Sequence, residues 1–200
     1  MDYKEETIAV YDLVARKYEL LVKDYTNIYL VEEVNLFLKA LPGKRILDLG
    51  SGPGRDAVIF RERGYQPLCV DLSREMVKLC QEKGLEARVM DLENLQSDET
   101  FDGVWAYTSL LHVPKVKMAE VLSRISLVLK PEGAFFLGMK EGTEEEMKKY
   151  KLYPGQKRLM SLYQDEELRE LLSVNFELLY FSKTIIREDT YFNYLSRKKE

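Results

Sequence analysis

Two hundred residues, 46% of them hydrophobic, can bury one good-sized core, so a single domain over 1–200 is expected. A net charge of −4 argues against a surface built to coat nucleic acid or anionic lipid, and two cysteines are too few for a disulfide framework. The N-terminal "MDYKEETIAVYDLV" lacks a basic segment followed by an apolar core, and no apolar run approaches the roughly 20 residues that span a bilayer. A cytoplasmic chain with Cys69 and Cys80 as free thiols is the expectation.

Residues 5–24 show helical spacing, with Ile8, Tyr11, Val14, Ala15 and Tyr18 on one stripe. A second helix is predicted over about 28–40, ending at "LPGK", and together these make an N-terminal cap over 1–41. Then come five short apolar runs: "RILDLG", "PLCVDLS", "EARVMDL", "FDGVWAY" and "GAFFLGMK". Helical patterns near 55–63, 74–83 and 114–129 lie between them, which is the signature of βαβ units and a parallel sheet covered on both faces. The segment 140–163, "KEGTEEEMKKYKLYPGQKRLMSLY", reads as an irregular charged insertion at a strand's carboxyl end, a natural lid. After a helix at about 165–173, "FELLYFSKTIIR" and "TYFNYLS" lie too close together for a crossover, so they form an antiparallel hairpin. The predicted fold is a three-layer α/β/α sandwich.

In open sheets of this kind ligands sit outside the carboxyl ends of the strands. Those ends carry Asp48 with the loop Gly50-Ser51-Gly52-Pro53-Gly54, then Asp71-Leu72, then Asp91-Leu92, and "AYTSLLHV" with Tyr107 and Thr108. Any one carboxylate could be a helix N-cap or a solvated turn, and Ser73 is well placed to cap the helix after Asp71. Three in register beside a glycine loop are harder to attribute to capping. The glycines let a ligand approach the main chain, and the following helix aims its free N–H groups at an anionic group.

A dinucleotide is one reading, because Gly52-Pro-Gly54-Arg-Asp-Ala57 fits G-x-G-x-x-A and Asp71 lies at about the right distance for a ribose. Asp48 argues against it, since a carboxylate repels a pyrophosphate and attracts a cation. A ligand carrying both charges, such as the methionine end of S-adenosylmethionine, suits the loop better. An NAD(P)-dependent oxidoreductase and a non-catalytic S-adenosylmethionine-binding protein stand as alternatives.

Taken in order, these segments resemble the class I S-adenosylmethionine-dependent methyltransferases, small-molecule type, over roughly Tyr11 to Lys140. Asp48-Leu-Gly50-Ser-Gly52-Pro-Gly54 is similar to that family's first motif, and "FDGVWAYTSLLHV" to its fourth. The resemblance implies a seven-stranded sheet of order 3-2-1-4-5-7-6 with the seventh strand antiparallel. It implies that Asp71 binds both ribose hydroxyls, that Met76 packs near the adenine, that Asp91 accepts from the adenine amine and that the Leu92 N–H faces the ring. Asp48 holds either the ligand or the loop's own N–H groups.

The methyl donor is already activated, so positioning and exclusion of water are the main tasks and a base is optional. His112, the one histidine, falls just after the fourth strand as either a packed side chain or a general base. Tyr11 and Tyr18, in "VYDLVARKYELL", resemble an aromatic segment that caps the active site, and their stripe is also an ordinary amphipathic face. Lys140, Arg158 and Tyr163 match a family pattern of substrate-facing residues, which implies an anionic small-molecule acceptor. No Asn/Asp-Pro-Pro-aromatic run follows the fourth strand, no cysteine stands near it, and no Cys/His cluster suggests a metal.

Overall fold

The apolar runs and helical stripes alternate along the chain, and the structure, a computed structural model describing residues 2–95 and 99–200, turns that alternation into layers. Met1, in the expected cap segment, lies outside the described residues. The strands are β1 (Arg45–Leu49), β2 (Gln66–Asp71), β3 (Glu86–Val89), β4 (Phe101–Tyr107), β5 (Leu129–Lys140), β6 (Glu145–Tyr150), β7 (Tyr153–Ser161), β8 (Phe176–Ile186) and β9 (Asp189–Lys198). The helices are α1 (Tyr3–Val22), α2 (Tyr25–Tyr29), α3 (Val31–Ala40), α4 (Arg55–Glu62), α5 (Arg74–Glu82), α6 (Lys115–Val128) and α7 (Asp165–Asn175).

The main sheet has the order β3-β2-β1-β4-β5-β9-β8. Neighbours from β3 to β5 are parallel, and β9 runs antiparallel to both β5 and β8. Counting only its members in chain order, this is 3-2-1-4-5-7-6, as the resemblance implies.

Strand parity divides the core. Leu47, Leu49, Val104, Ala106, Phe135 and Leu137 face α6 and α7. Ile46, Trp105, Tyr107 and Phe136 face the other way, against Val34 and Phe37 of α3 and Phe60 of α4. The indole of Trp105 stacks on Phe136 at 3.9 Å and 9°. Asp48 follows Ile46 by two, so its carboxylate belongs to the Trp105 face.

Two expectations need correction. The helix predicted over 28–40 is broken at Leu30 (φ −129°, ψ 22°). The bend buries Leu30 completely and leaves Thr26 free to donate to Asp56. Within 140–163, β6 and β7 form a two-stranded antiparallel sheet, with one register shift between Lys149 and Tyr150, rather than an irregular excursion. Its inner face packs on α1 through Val10, Val14 and Tyr150, and the Leu159 N–H donates to Thr7 Oγ1 at 3.0 Å. The exposed lysines on "EEMKKY" hide that apolar face from a period-2 reading.

Candidate functional site

The loop after β1 turns through three glycines with positive φ: Gly50 (74°), Gly52 (53°) and Gly54 (79°). A Cβ on Gly50 would come within 2.3 Å of Ser109 Cβ, whereas on Gly52 it would meet, among the described residues, only the Tyr18 ring, at 3.7 Å. Gly52 thus leaves its side-chain direction open to a cavity. Gly54 does not: a Cβ there would strike Leu85 and Cys80, and Gly54 lies outside the cavity lining. Its role is to begin α4 in the left-handed conformation while packing on α5.

The strand-end acids Asp48, Asp71 and Asp91 all line this one cavity, with Ser51, Leu72, Met76, Leu92 and His112. Asp71 accepts from the Gly52 N–H at 2.9 Å and the Ser73 N–H at 2.9 Å, so it braces the glycine loop. Burial, only partly opposed by those two N–H groups, pushes its carboxyl up to about 6. Ser73 caps α5 as expected, accepting from the Met76 N–H at 3.2 Å.

Asp48 is 3% exposed, and its Oδ2 has no hydrogen-bond partner among the described residues. Burial first, then the negative charge of Asp56, raises its pKa well above the usual carboxylate range. A buried carboxylate without a counter-ion is costly, and a cationic group in the cavity would relieve it. Asp91 is less available than expected. Its Oδ2 accepts from Lys4 at 2.8 Å and from Asn94 at 2.8 Å, and its Oδ1 from the Glu93 N–H at 3.0 Å.

Sequence reasoning missed a second layer beneath the loop. Asp56, 5% exposed, accepts from Arg55 Nε and Nη2 (2.7 and 2.8 Å), Trp105 Nε1 (2.8 Å) and Thr26. Burial disfavours its charge, but Arg55, Thr26 and Trp105 together hold its pKa below the usual value. The Arg55 guanidinium lies over the Tyr25 and Tyr107 rings at 5.1 and 5.7 Å. One signal was present: a cation in the first turn of a helix opposes the macrodipole, so Arg55 needs another reason to be there.

A second cavity adjoins the first and shares Tyr11, Tyr18, Arg55, Tyr107 and Thr108 with it. Lys140 and Arg158 line it, but Lys140 is ion-paired to Asp189 at 2.6 Å. Tyr163 lines neither cavity; it is 2% exposed in the core, beneath the Lys115 ammonium. Thr108 holds a left-handed φ of 56° at the junction, a strained conformation of the kind that clusters at binding sites.

At that junction Arg158 donates to the Tyr11 hydroxyl, which lies 2.8 Å from His112 Nε2. The other ring nitrogen, Nδ1, is 2.6 Å from the Leu159 carbonyl oxygen. The enclosure of His112, and then the charge of Arg158, push its pKa down to about 3. Among the described residues no group of three or more His, Cys, Asp or Glu is placed to hold a metal ion, and no helix is long and apolar enough to cross a membrane.

This sheet order, with a glycine loop after β1 and an acid ending β2, defines a Rossmann-like domain of the methyltransferase type. Residues 46–133 match a family described as a methyltransferase domain. The ubiquinone biosynthesis O-methyltransferase of Xanthomonas campestris is 34% identical over 106 residues, which is 49% of this chain and 44% of that protein. The chain thus spans under half the length of that curated relative. An uncharacterised protein of Methanocaldococcus jannaschii is 27% identical over 187 residues, covering 90% of this chain and 86% of that one. Among solved structures, the 1,6-didemethyltoxoflavin-N1-methyltransferase of Burkholderia thailandensis, with bound 1,6-didemethyltoxoflavin and S-adenosylhomocysteine, superposes with a TM-score of 0.79 at 22% identity. It covers 99% of this chain and 89% of that chain.

Proposed function

We propose that this chain is a cytoplasmic S-adenosylmethionine-dependent methyltransferase acting on a small, anionic acceptor. The observation that carries the reading is the convergence of Asp48, Asp71 and Asp91 with the open side of Gly52 on one cavity that adjoins a second. The charge pattern fits the cofactor's methionine end: the unpartnered Oδ2 of Asp48 suits an ammonium. Asp71, at the end of β2, has room on its oxygens for two ribose hydroxyls beside the N–H groups it already accepts. Asp91 would receive the adenine amine while sharing its carboxylate with Lys4.

The bound cofactor supplies an electrophilic methyl on sulfur, so the chain's task is to align a nucleophile and keep out water. Tyr11, Tyr18, Tyr107 and Thr108, which line both cavities, surround the passage the methyl must cross. The β6–β7 hairpin and α1 close over that passage as a lid. His112 holds Tyr11 in place and stays neutral. The relatives' printed names, an O-methyltransferase and an N-methyltransferase, support methyl transfer to a small molecule and leave the reacting atom open.

The competing dinucleotide reading places a pyrophosphate beside the buried Asp48 carboxyl, where the two would repel. A thermal-shift comparison separates the two. S-adenosylhomocysteine should raise the melting temperature by several degrees and NAD(P) should leave it unchanged. The reverse result would replace the methyltransferase reading with the oxidoreductase one.

A further inference from the structure

The second cavity has a composition unlike the rest of this acidic chain. Its volume is about 570 Å³, the size of a small-molecule site. Lys140, Lys148, Lys149, Lys151, Arg158 and Arg187 line it, against two acids, Glu188 and Asp189. Asp189 is taken by Lys140, Lys148 lies 3.4 Å from Glu146, and Glu188 sits exposed in the β8–β9 turn. Lys148, Lys149, Lys151 and Arg187 are exposed, and the half-buried Lys140 is held by Asp189. Arg158 is half-buried too, forms no ion pair among the described residues, and is seen donating only to Tyr11. Its guanidinium lies over the Tyr150 ring at 4.3 Å and the Tyr11 ring at 5.6 Å. A fork of N–H donors in that setting matches a planar two-oxygen anion.

The walls are aromatic. Tyr11 meets Tyr18 at 5.7 Å and Tyr150 at 6.0 Å on one side, and Tyr107 stacks with Tyr191 at 6.5 Å and 27° on another. Such walls favour a flat ring over a saturated one of the same size. His112 is not free to take a proton from a bound acceptor. Both nitrogens of His112 are occupied, one by Tyr11 and one by the Leu159 carbonyl, and His112 does not line this cavity.

We propose that the second cavity selects a planar aromatic acid as the methyl acceptor, bound as its anion by Arg158 and flanked by the tyrosines. This deepens, and rests on, the methyltransferase reading above. The anion's own lone pair forms the bond to the methyl carbon as the carbon–sulfur bond breaks and its electron pair returns to sulfur. Sulfonium and anion leave as two uncharged groups at the reacting centre, and no proton changes hands. A carboxylic acid is already ionised at neutral pH, so the transfer asks for no base, and Arg158 serves to hold and orient the anion.

The test is calorimetric titration of benzoate, benzamide and cyclohexanecarboxylate into protein saturated with S-adenosylhomocysteine. Benzoate should bind, and both the uncharged amide and the saturated acid should bind about tenfold or more weakly, since one loses the charge and the other the ring. Arg158→Gln should reduce benzoate binding to the level of the amide, and Arg158→Lys should fall between, with melting temperatures confirming that both variants fold. Equal affinity for benzoate and benzamide, equal affinity for the saturated acid, an Arg158→Gln variant that binds benzoate as the parent does, or no binding of benzoate would each overturn the proposal. The titration of S-adenosylhomocysteine itself is read first. If it fails, the methyltransferase reading falls, whereas a failure confined to the acids removes only this inference.

Discussion

The Tyr11 hydroxyl stands 2.8 Å from His112 Nε2, while Nδ1 of the same ring stands 2.6 Å from the Leu159 carbonyl oxygen. A carbonyl only accepts, so Nδ1 carries the proton and Nε2 accepts from Tyr11. The ring therefore ties α1 to β7 across the end of β4 as a neutral group.

That assignment predicts an imidazole silent over the physiological range. His112 is the sole histidine, so its ring resonances are unambiguous. They should show the Nδ1–H tautomer and no titration above about pH 5, given a pKa pushed down to about 3. A midpoint near the ordinary 6.5 would contradict the enclosure described.

The same shift has a stability consequence of definite sign. The folded pKa lies below the ordinary value, so this contribution is complete above pH 6.5 and is lost as pH falls from there toward 3. The loss amounts to about 1.4 kcal/mol per pH unit over that window. Denaturant unfolding at neutral pH and at about pH 5 should show a smaller difference in His112→Gln than in the parent.

Two neighbouring glycines should respond differently to alanine. At Gly50 the new Cβ would stand 2.3 Å from Ser109 Cβ, so Gly50→Ala should cost about 2–3 kcal/mol from overpacking and left-handed strain. At Gly52 the only neighbour among the described residues is Tyr18 at 3.7 Å, and Gly52→Ala should cost about 1 kcal/mol of stability while weakening S-adenosylhomocysteine binding far more. Urea melts alongside ligand titrations check both. Equal stability losses with unchanged affinity in Gly52→Ala would remove the loop from the binding site.

Thr108 holds φ at 56° where both cavities meet. Thr108→Gly should stabilise the ligand-free chain by up to about 1 kcal/mol by releasing the left-handed strain. If unfolding instead shows a loss of that size, the conformation is supported by contacts that outweigh its strain.

Much of the fold was legible because its signals are local. The apolar runs ending in Asp48, Asp71 and Asp91 announce parallel strands and their ligand-side rim without reference to distant residues. The Asp56 cluster was not legible, because its partners Thr26 and Trp105 come from segments far apart in sequence, and only the misplaced charge of Arg55 hinted at it. The resemblance also put Gly54 and Tyr163 in the site, whereas packing against Cys80 and burial in the core keep them out of the lining of both cavities. The β6–β7 sheet escaped because a strand pair that covers a helix needs only a few apolar residues.

The raised carboxyl of Asp71, at about 6, and the orphaned oxygen of Asp48 mark the place where ligand charge is wanted. Calorimetric titration of S-adenosylhomocysteine into the parent chain, Asp48→Asn and Asp71→Asn tests this directly. One-to-one binding is expected, weakened about tenfold or more by either substitution, with parent affinity falling as pH drops below about 6 and that fall blunted in Asp71→Asn. Binding in both variants indistinguishable from the parent, or no binding in any of the three, would contradict it.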